Sequence, residues 1–119
     1  MHLSKITILK FVTPIVFTLS GTAFADTMSK DVDAGKKLAF DTAKGNCLAC
    51  HQIEGGEAPG NIGPPLIAMQ SRFSSKEKLK TQIWDATIAN PSTIMPPVGR
   101  HRILTPQELD QVVEFIWTK

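Results

Sequence analysis

The sequence is short of several things, and each shortage narrows what the chain can be. It has only two cysteines among 119 residues. A structural zinc site needs four ligands, and Cys47, Cys50 and His51 are too tightly packed in sequence to supply three of them. His101 is the only further histidine downstream of the motif. No run of lysines and arginines forms a basic stripe, which argues against nucleic acid. No apolar run reaches the roughly 20 residues that cross a bilayer. No internal repeat and no convincing strand can be read. The absence of strands removes the βαβ setting that a thioredoxin-like cysteine pair requires.

What stands at the start is a basic segment (Lys5, Lys10), a short apolar run from Phe11 to Leu19 containing Pro14, and Ala23-Phe24-Ala25, with small residues at the positions a signal peptidase reads. Residues 1–25 are therefore expected to be a cleaved secretory leader, and 26–119 one domain. An uncleaved anchor is the alternative, weakened by Pro14 and Lys10. The leader holds two of the 13 basic residues and no acid, so 11 remain against 11 acidic residues. The domain is thus neutral, without a strong steering field. Its core is modest for its size, and a cofactor filling the middle would serve as a staple. Export also means an oxidising compartment, where a bare CxxC becomes a disulfide unless something captures it.

The expected class is all-α. Asp26 to Asp31 reads as a loose end. Asp33 can cap a helix running to about Lys44, with Gly35 near its start. That glycine implies either a close helix approach or a tolerant first turn. Glu54 to Gly63, with four glycines and a proline, reads as loop, continued by Pro64-Pro65. Leu66 to Phe73 is a short helix candidate. Ser74 with Glu77 gives a capping pattern for a helix to about Ala89, stopped by Asn90-Pro91. A second loop spans Pro91 to Leu104. Thr105-Pro106-Gln107-Glu108 is the clearest helix start in the chain, and Leu109, Val112, Val113 and Ile116 then share a face.

The chemistry is concentrated in CLACH, residues 47–51. On one helical turn Cys47, Cys50 and His51 fall at i, i+3 and i+4, on a common face. Two thiols so placed can add to vinyl groups along one porphyrin edge, and the next side chain can reach the iron. The pattern is that of c-type haem attachment, with Cys47 and Cys50 as thioether sites and His51 as the proximal ligand. For the sixth iron position the candidates are Met28, Met69, Met95 and His101. Met28 lies at the loose end, and Met69 sits in an apolar stretch that reads as core. Met95 lies in a loop held extended by Pro96 and stiffened by Pro97, so it is the expected ligand. An open site or His101 is the alternative. The other ring nitrogen of His51 needs an acceptor, and the rigid Gly63-Pro64-Pro65 turn offers the Pro64 carbonyl. Trp84 and Trp117 read first as core; Trp84 could instead meet a haem propionate. Arg72, Arg100 and Arg102 could pair with propionates or a partner's carboxylates.

From end to end, DVDAGKKLAF, CLACH, NIGPPL, a methionine loop and LTPQELDQVVEFIW resemble a class I cytochrome c. That resemblance implies first and last helices crossing over haem, with Gly35 as the crossing point near Val112, Val113 or Ile116. GNCLACHQIEGGEAPGNIGPPL with IWDATIANPSTIMPPVGRHRILT is similar to the SoxX family, the small monohaem subunits of SoxAX cytochromes, over nearly all of residues 26–119. The family implies Cys47 and Cys50 as thioether sites, His51 and Met95 as axial ligands, and a larger SoxA-like partner. It implies a complex that joins thiosulfate to a cysteine of a SoxYZ-like carrier and passes two electrons to a soluble cytochrome c. With both cysteines taken by haem, this chain has no catalytic nucleophile of its own. Any family role for a terminal aromatic falls to Trp117, since there is no tyrosine. Such a subunit is expected to expose an apolar patch, drawn from Ile53, Ile62, Ile94 and Val98, at the haem edge. A free-standing shuttle, or a haem enzyme with an open iron site, are the competing readings.

Overall fold

The computed structural model describes residues 22–119. The expected leader, residues 1–25, lies almost wholly outside them. Among the described residues there are four α-helices and no strand: α1 Thr22–Phe40, α2 Met69–Arg72, α3 Lys76–Trp84 and α4 Pro106–Trp117. Short 3-10 turns cover Cys47–Ala49 and Ala86–Ile88.

α4 begins as its sequence dictates. Thr105 Oγ1 accepts from the Glu108 amide at 3.2 Å, and Glu108 Oε2 accepts from the Thr105 amide at 2.8 Å. Lys44 reaches the same carboxylate at 2.9 Å. The Lys44 ammonium, with the Thr105 amide, holds the Glu108 carboxyl below its ordinary value. Leu109, Val112, Val113 and Ile116 are all buried. Phe115 joins them at 1% exposure, edge-on to Phe40 with ring centroids 5.7 Å apart. It lies on the flank turned to α1, outside the stripe read from periodicity. Burying each such side chain contributes roughly 1.5–3 kcal/mol, so α4 is the spine of the core.

α1 and α4 cross at Gly35. A methyl group there would run into the Gln111 carbonyl and lie 2.9 Å from Phe115 Cβ. The crossing is therefore at Gln111 and Phe115, one position off the expected Val112, Val113 or Ile116. The side chains on that stripe face the core, and the backbone beside them takes the contact.

Other boundaries differ from expectation. α1 starts before Asp33, so Asp33 is no cap. The segment 26–32 contains neither glycine nor proline, and Lys30 pairs with Asp26 one turn back at 3.5 Å. α1 ends at Phe40 rather than near Lys44. Asp41 Oδ1 takes the Ala43 amide at 2.8 Å, and Gly45 N–H caps Leu38 O at 3.1 Å, turning the chain early. α2 is confined to four residues because Ala68, at φ 50, interrupts the turn before it. α3 is capped by Ser75, not Ser74: Ser75 Oγ accepts from the Lys78 amide at 3.3 Å. It stops at Trp84 instead of Ala89. Asp85 is extended there (φ −155°), and its carboxylate binds the Thr87 amide and hydroxyl in place of helix bonds.

α3 lies along α4, with Lys76 on Glu114 at 2.6 Å and Lys80 on Asp110. These partly exposed pairs contribute little each. Leu79 and Ile83 carry the contact between the two helices' apolar faces.

Candidate haem site

The CLACH segment folds as one tight turn. Asn46 precedes it in the left-handed region (φ 48), a conformation asparagine tolerates. The amides of both Cys50 and His51 donate to Cys47 O, at 3.2 and 2.9 Å. The turn brings Cys47, Cys50 and His51 to the wall of a single cavity of about 670 Å³. That is within the range of about 300–1,000 Å³ for small-molecule and cofactor sites.

The glycine-rich loop is laced back onto this turn. Gly60 N–H donates to Leu48 O at 2.8 Å, Gly63 N–H to Cys50 O at 2.8 Å, and Leu66 N–H to Gln52 O at 2.9 Å. Side chains are excluded where the loop touches the turn: a methyl group at Gly63 would enter the His51 imidazole. This lacing sets the Pro64 carbonyl 2.7 Å from His51 Nδ1. A carbonyl only accepts, so Nδ1 carries the proton and Nε2 keeps its lone pair. A ring fixed in this tautomer by a backbone carbonyl is the usual support of a metal-ligating histidine.

Met95 lines the same cavity, with Thr93, Ile94 and Pro96. Its amide is held by Thr93 Oγ1 at 3.2 Å. Met69 also lines the cavity, and it is a buried core residue at 2% exposure, with its sulfur 3.5 Å from Arg72 Nη1. His101 is exposed and contributes nothing to the cavity wall, and Met28 lies elsewhere, 53% exposed. The remaining lining is mainly apolar, from Leu66, Phe73, Leu79, Ile83, Leu104 and Ile116 among others.

Cys47 and Cys50 are free and half-buried, and burial pushes the Cys47 thiol up to about 11. Among the described residues no group of three or more His, Cys, Asp or Glu side chains is arranged to hold a metal ion. Two unjoined cysteines beside a tautomer-fixed histidine in a large apolar cavity fit a covalently held porphyrin iron.

The "Cytochrome c" family model matches residues 32–119. The chain belongs to the cytochrome c family. This cytochrome is also similar to a chain in the crystal structure of SoxXA from P. pantotrophus, with a TM-score of 0.64 and 28% identity, over 72% of this chain and 79% of that one. An uncharacterized lipoprotein of Aquifex aeolicus (strain VF5) is 32% identical over 74 residues, which are 61% of this chain and 36% of the relative. The chain thus spans little more than a third of that lipoprotein. It is a SoxX-like monohaem cytochrome c with the all-α class I fold and one covalently bound haem c at the Cys47–His51 motif. A haem so held supplies a one-electron iron couple. Among the described residues no helix is long and apolar enough to cross a membrane.

Other sequence-selected residues fall differently. Ile62 and Ile94 are exposed at 64% and 78% and border the cavity. Ile53 and Val98, expected beside them, are buried in the core. Val98 is drawn in because its carbonyl accepts the Ile103 amide at 3.0 Å, tucking the loop inward. Trp84 is not core but 39% exposed, and it is not part of the cavity wall. Trp117 is half-buried, with Gln70 Nε2 donating to its carbonyl at 3.1 Å. Arg72 reaches the cavity and donates to Pro65 O at 2.8 Å; Arg100 pairs with Asp85, and Arg102 is exposed. Sequence reasoning missed the Arg72 and Asp85 contacts, because both join segments with no shared periodicity.

Changing Cys47 to Ser should impair covalent retention of haem, leaving at most the Cys50 thioether. Intact mass and acid-acetone extraction check this; native spectra with haem unextractable would count against Cys47 as an attachment point.

Proposed function

We propose that this cytochrome is the electron-relay subunit of a SoxAX-like complex, exported by a leader at residues 1–25 and working in the periplasm as a domain of residues 26–119. Haem is joined through Cys47 and Cys50, with His51 and Met95 as the iron's axial ligands and Pro64 O accepting the His51 Nδ1 proton. The larger SoxA-like cytochrome and a SoxYZ-like carrier supply the sulfur chemistry: thiosulfate and a carrier cysteine thiol lose two electrons as a sulfur–sulfur bond forms. This chain takes those electrons one at a time and hands them to a soluble cytochrome c.

The likeness to the SoxXA chain over 72% of this sequence carries the reading. The exposed Ile62 and Ile94 at the cavity rim supply an apolar docking edge of the kind a permanent subunit presents. A free shuttle instead favours a charged ring and weak, fast encounters. Thiosulfate and carrier added to the purified single chain should leave its iron oxidised, and reduction should require the larger cytochrome. Rapid reduction with no partner present would contradict the relay role. Purification from the native host with no larger cytochrome attached would favour the free-standing shuttle.

A further inference from the structure

We infer that Asp85 is a positioning residue for Met95, anchoring through Arg100 the loop that carries the iron's sulfur ligand. The inference rests on the assignment of Met95 as that ligand. Asp85 is the only buried polar or charged residue among those described, at 4% exposure. A buried carboxylate is retained only where its oxygens are satisfied. Its Oδ1 accepts from Thr87 N at 3.0 Å and Thr87 Oγ1 at 2.5 Å, and its Oδ2 faces Arg100 Nη1 at 3.1 Å.

The backbone repeats the connection. Trp84 O accepts from Gly99 N at 3.1 Å and from Arg100 N at 3.2 Å. A side chain at Gly99 would collide with the Trp84 ring, so the loop lies flat against the end of α3. Residues 84–85 thus hold residues 99–100 by two backbone bonds and one ion pair. Between that anchor and Met95 stand Pro96 and Pro97, whose fixed φ leaves little slack, and Pro97 O is tied to the His101 amide at 2.9 Å. On the other side of Met95 the bonds are local: Ser92 N to Asn90 Oδ1, Thr93 N to Asn90 O, and Met95 N to Thr93 Oγ1. The tie back to the body on that side is Asn90 N to Ala86 O at 3.0 Å, five residues before Met95. The Asp85 side therefore sets where the Met95 sulfur sits.

Asp85→Asn in the haem-loaded protein tests this. The expected variant keeps wild-type helix content. It binds added imidazole at the iron at least about tenfold more tightly, the scale of one charge-assisted hydrogen bond. The Gly99 and Arg100 amides exchange faster by a similar factor. Arg100→Gln, at an exposed position, should reproduce these changes, and Arg100→Lys should restore part of the wild-type behaviour. Arg100→Gln also serves if Asp85→Asn does not fold. Wild-type imidazole affinity in both variants, whatever their stability, overturns the inference alone. A wild-type ferric spectrum lacking the His–Met charge-transfer band overturns the Met95 assignment, and this inference with it.

Discussion

Met95→Ala is expected to remove the His–Met charge-transfer band and to lower the reduction potential. A thioether stabilises ferrous over ferric iron, which is why His–Met ligation raises the potential. A hundredfold loss of that preference corresponds to about 120 mV, at 59 mV per tenfold for one electron. Spectroelectrochemical titration of wild type and variant measures it. The structure sharpens the control. His101 is exposed and away from the cavity, so it is a poor substitute, whereas Met69 is buried and on the cavity wall. Met69 has another engagement, its sulfur facing Arg72 Nη1 at 3.5 Å. Met69→Leu should therefore leave the potential close to wild type. An unchanged potential in Met95→Ala, with a fall in Met69→Leu, would exchange the two assignments.

The other large effect is expected at Gly35. At an exposed helix position, glycine to alanine stabilises by about 1 kcal/mol through propensity alone. Here the added methyl meets the Gln111 carbonyl, which is backbone and cannot rotate away. Overpacking costs about 1–3 kcal/mol, occasionally more, so Gly35→Ala should destabilise and Gly35→Val should do so severely. For a domain of this size 1 kcal/mol moves Tm by roughly 4–8 °C, so a loss of about 3 kcal/mol for Gly35→Val lowers it by at least about 12 °C. Thermal unfolding of the haem-loaded protein reads the sign. A Gly35→Ala protein more stable than wild type would mean that α1 and α4 do not meet at this point.

The elements differ in how far they could be read in advance. The start of α4 was legible to the residue, because Thr105, Pro106 and Glu108 interact within one turn, and most of its apolar stripe needs no outside information. α1 and α3 were not, since their ends depend on side chains that compete with helix bonds. Asp41 and Asp85 each divert the backbone, and which aspartate does so is settled by what surrounds it. The apolar rim was half legible. Ile62 and Ile94 are exposed, but Ile53 and Val98 have the same character in sequence and were drawn into the core by loop closure.

The sequence by itself determined the chemistry of residues 47–51, because the spacing of two cysteines and a histidine on one turn is a local property of the backbone. It also determined the helical class and the start of α4, for the same reason. Only the tertiary structure decided that Met69 lines the cavity beside Met95, that α1 meets α4 at Gln111 and Phe115, and that Asp85 holds the loop after Met95. Those contacts join residues far apart in the chain or in separate elements, and no local periodicity encodes such distances. They arise when the loops close over the core and each buried polar group must find a partner.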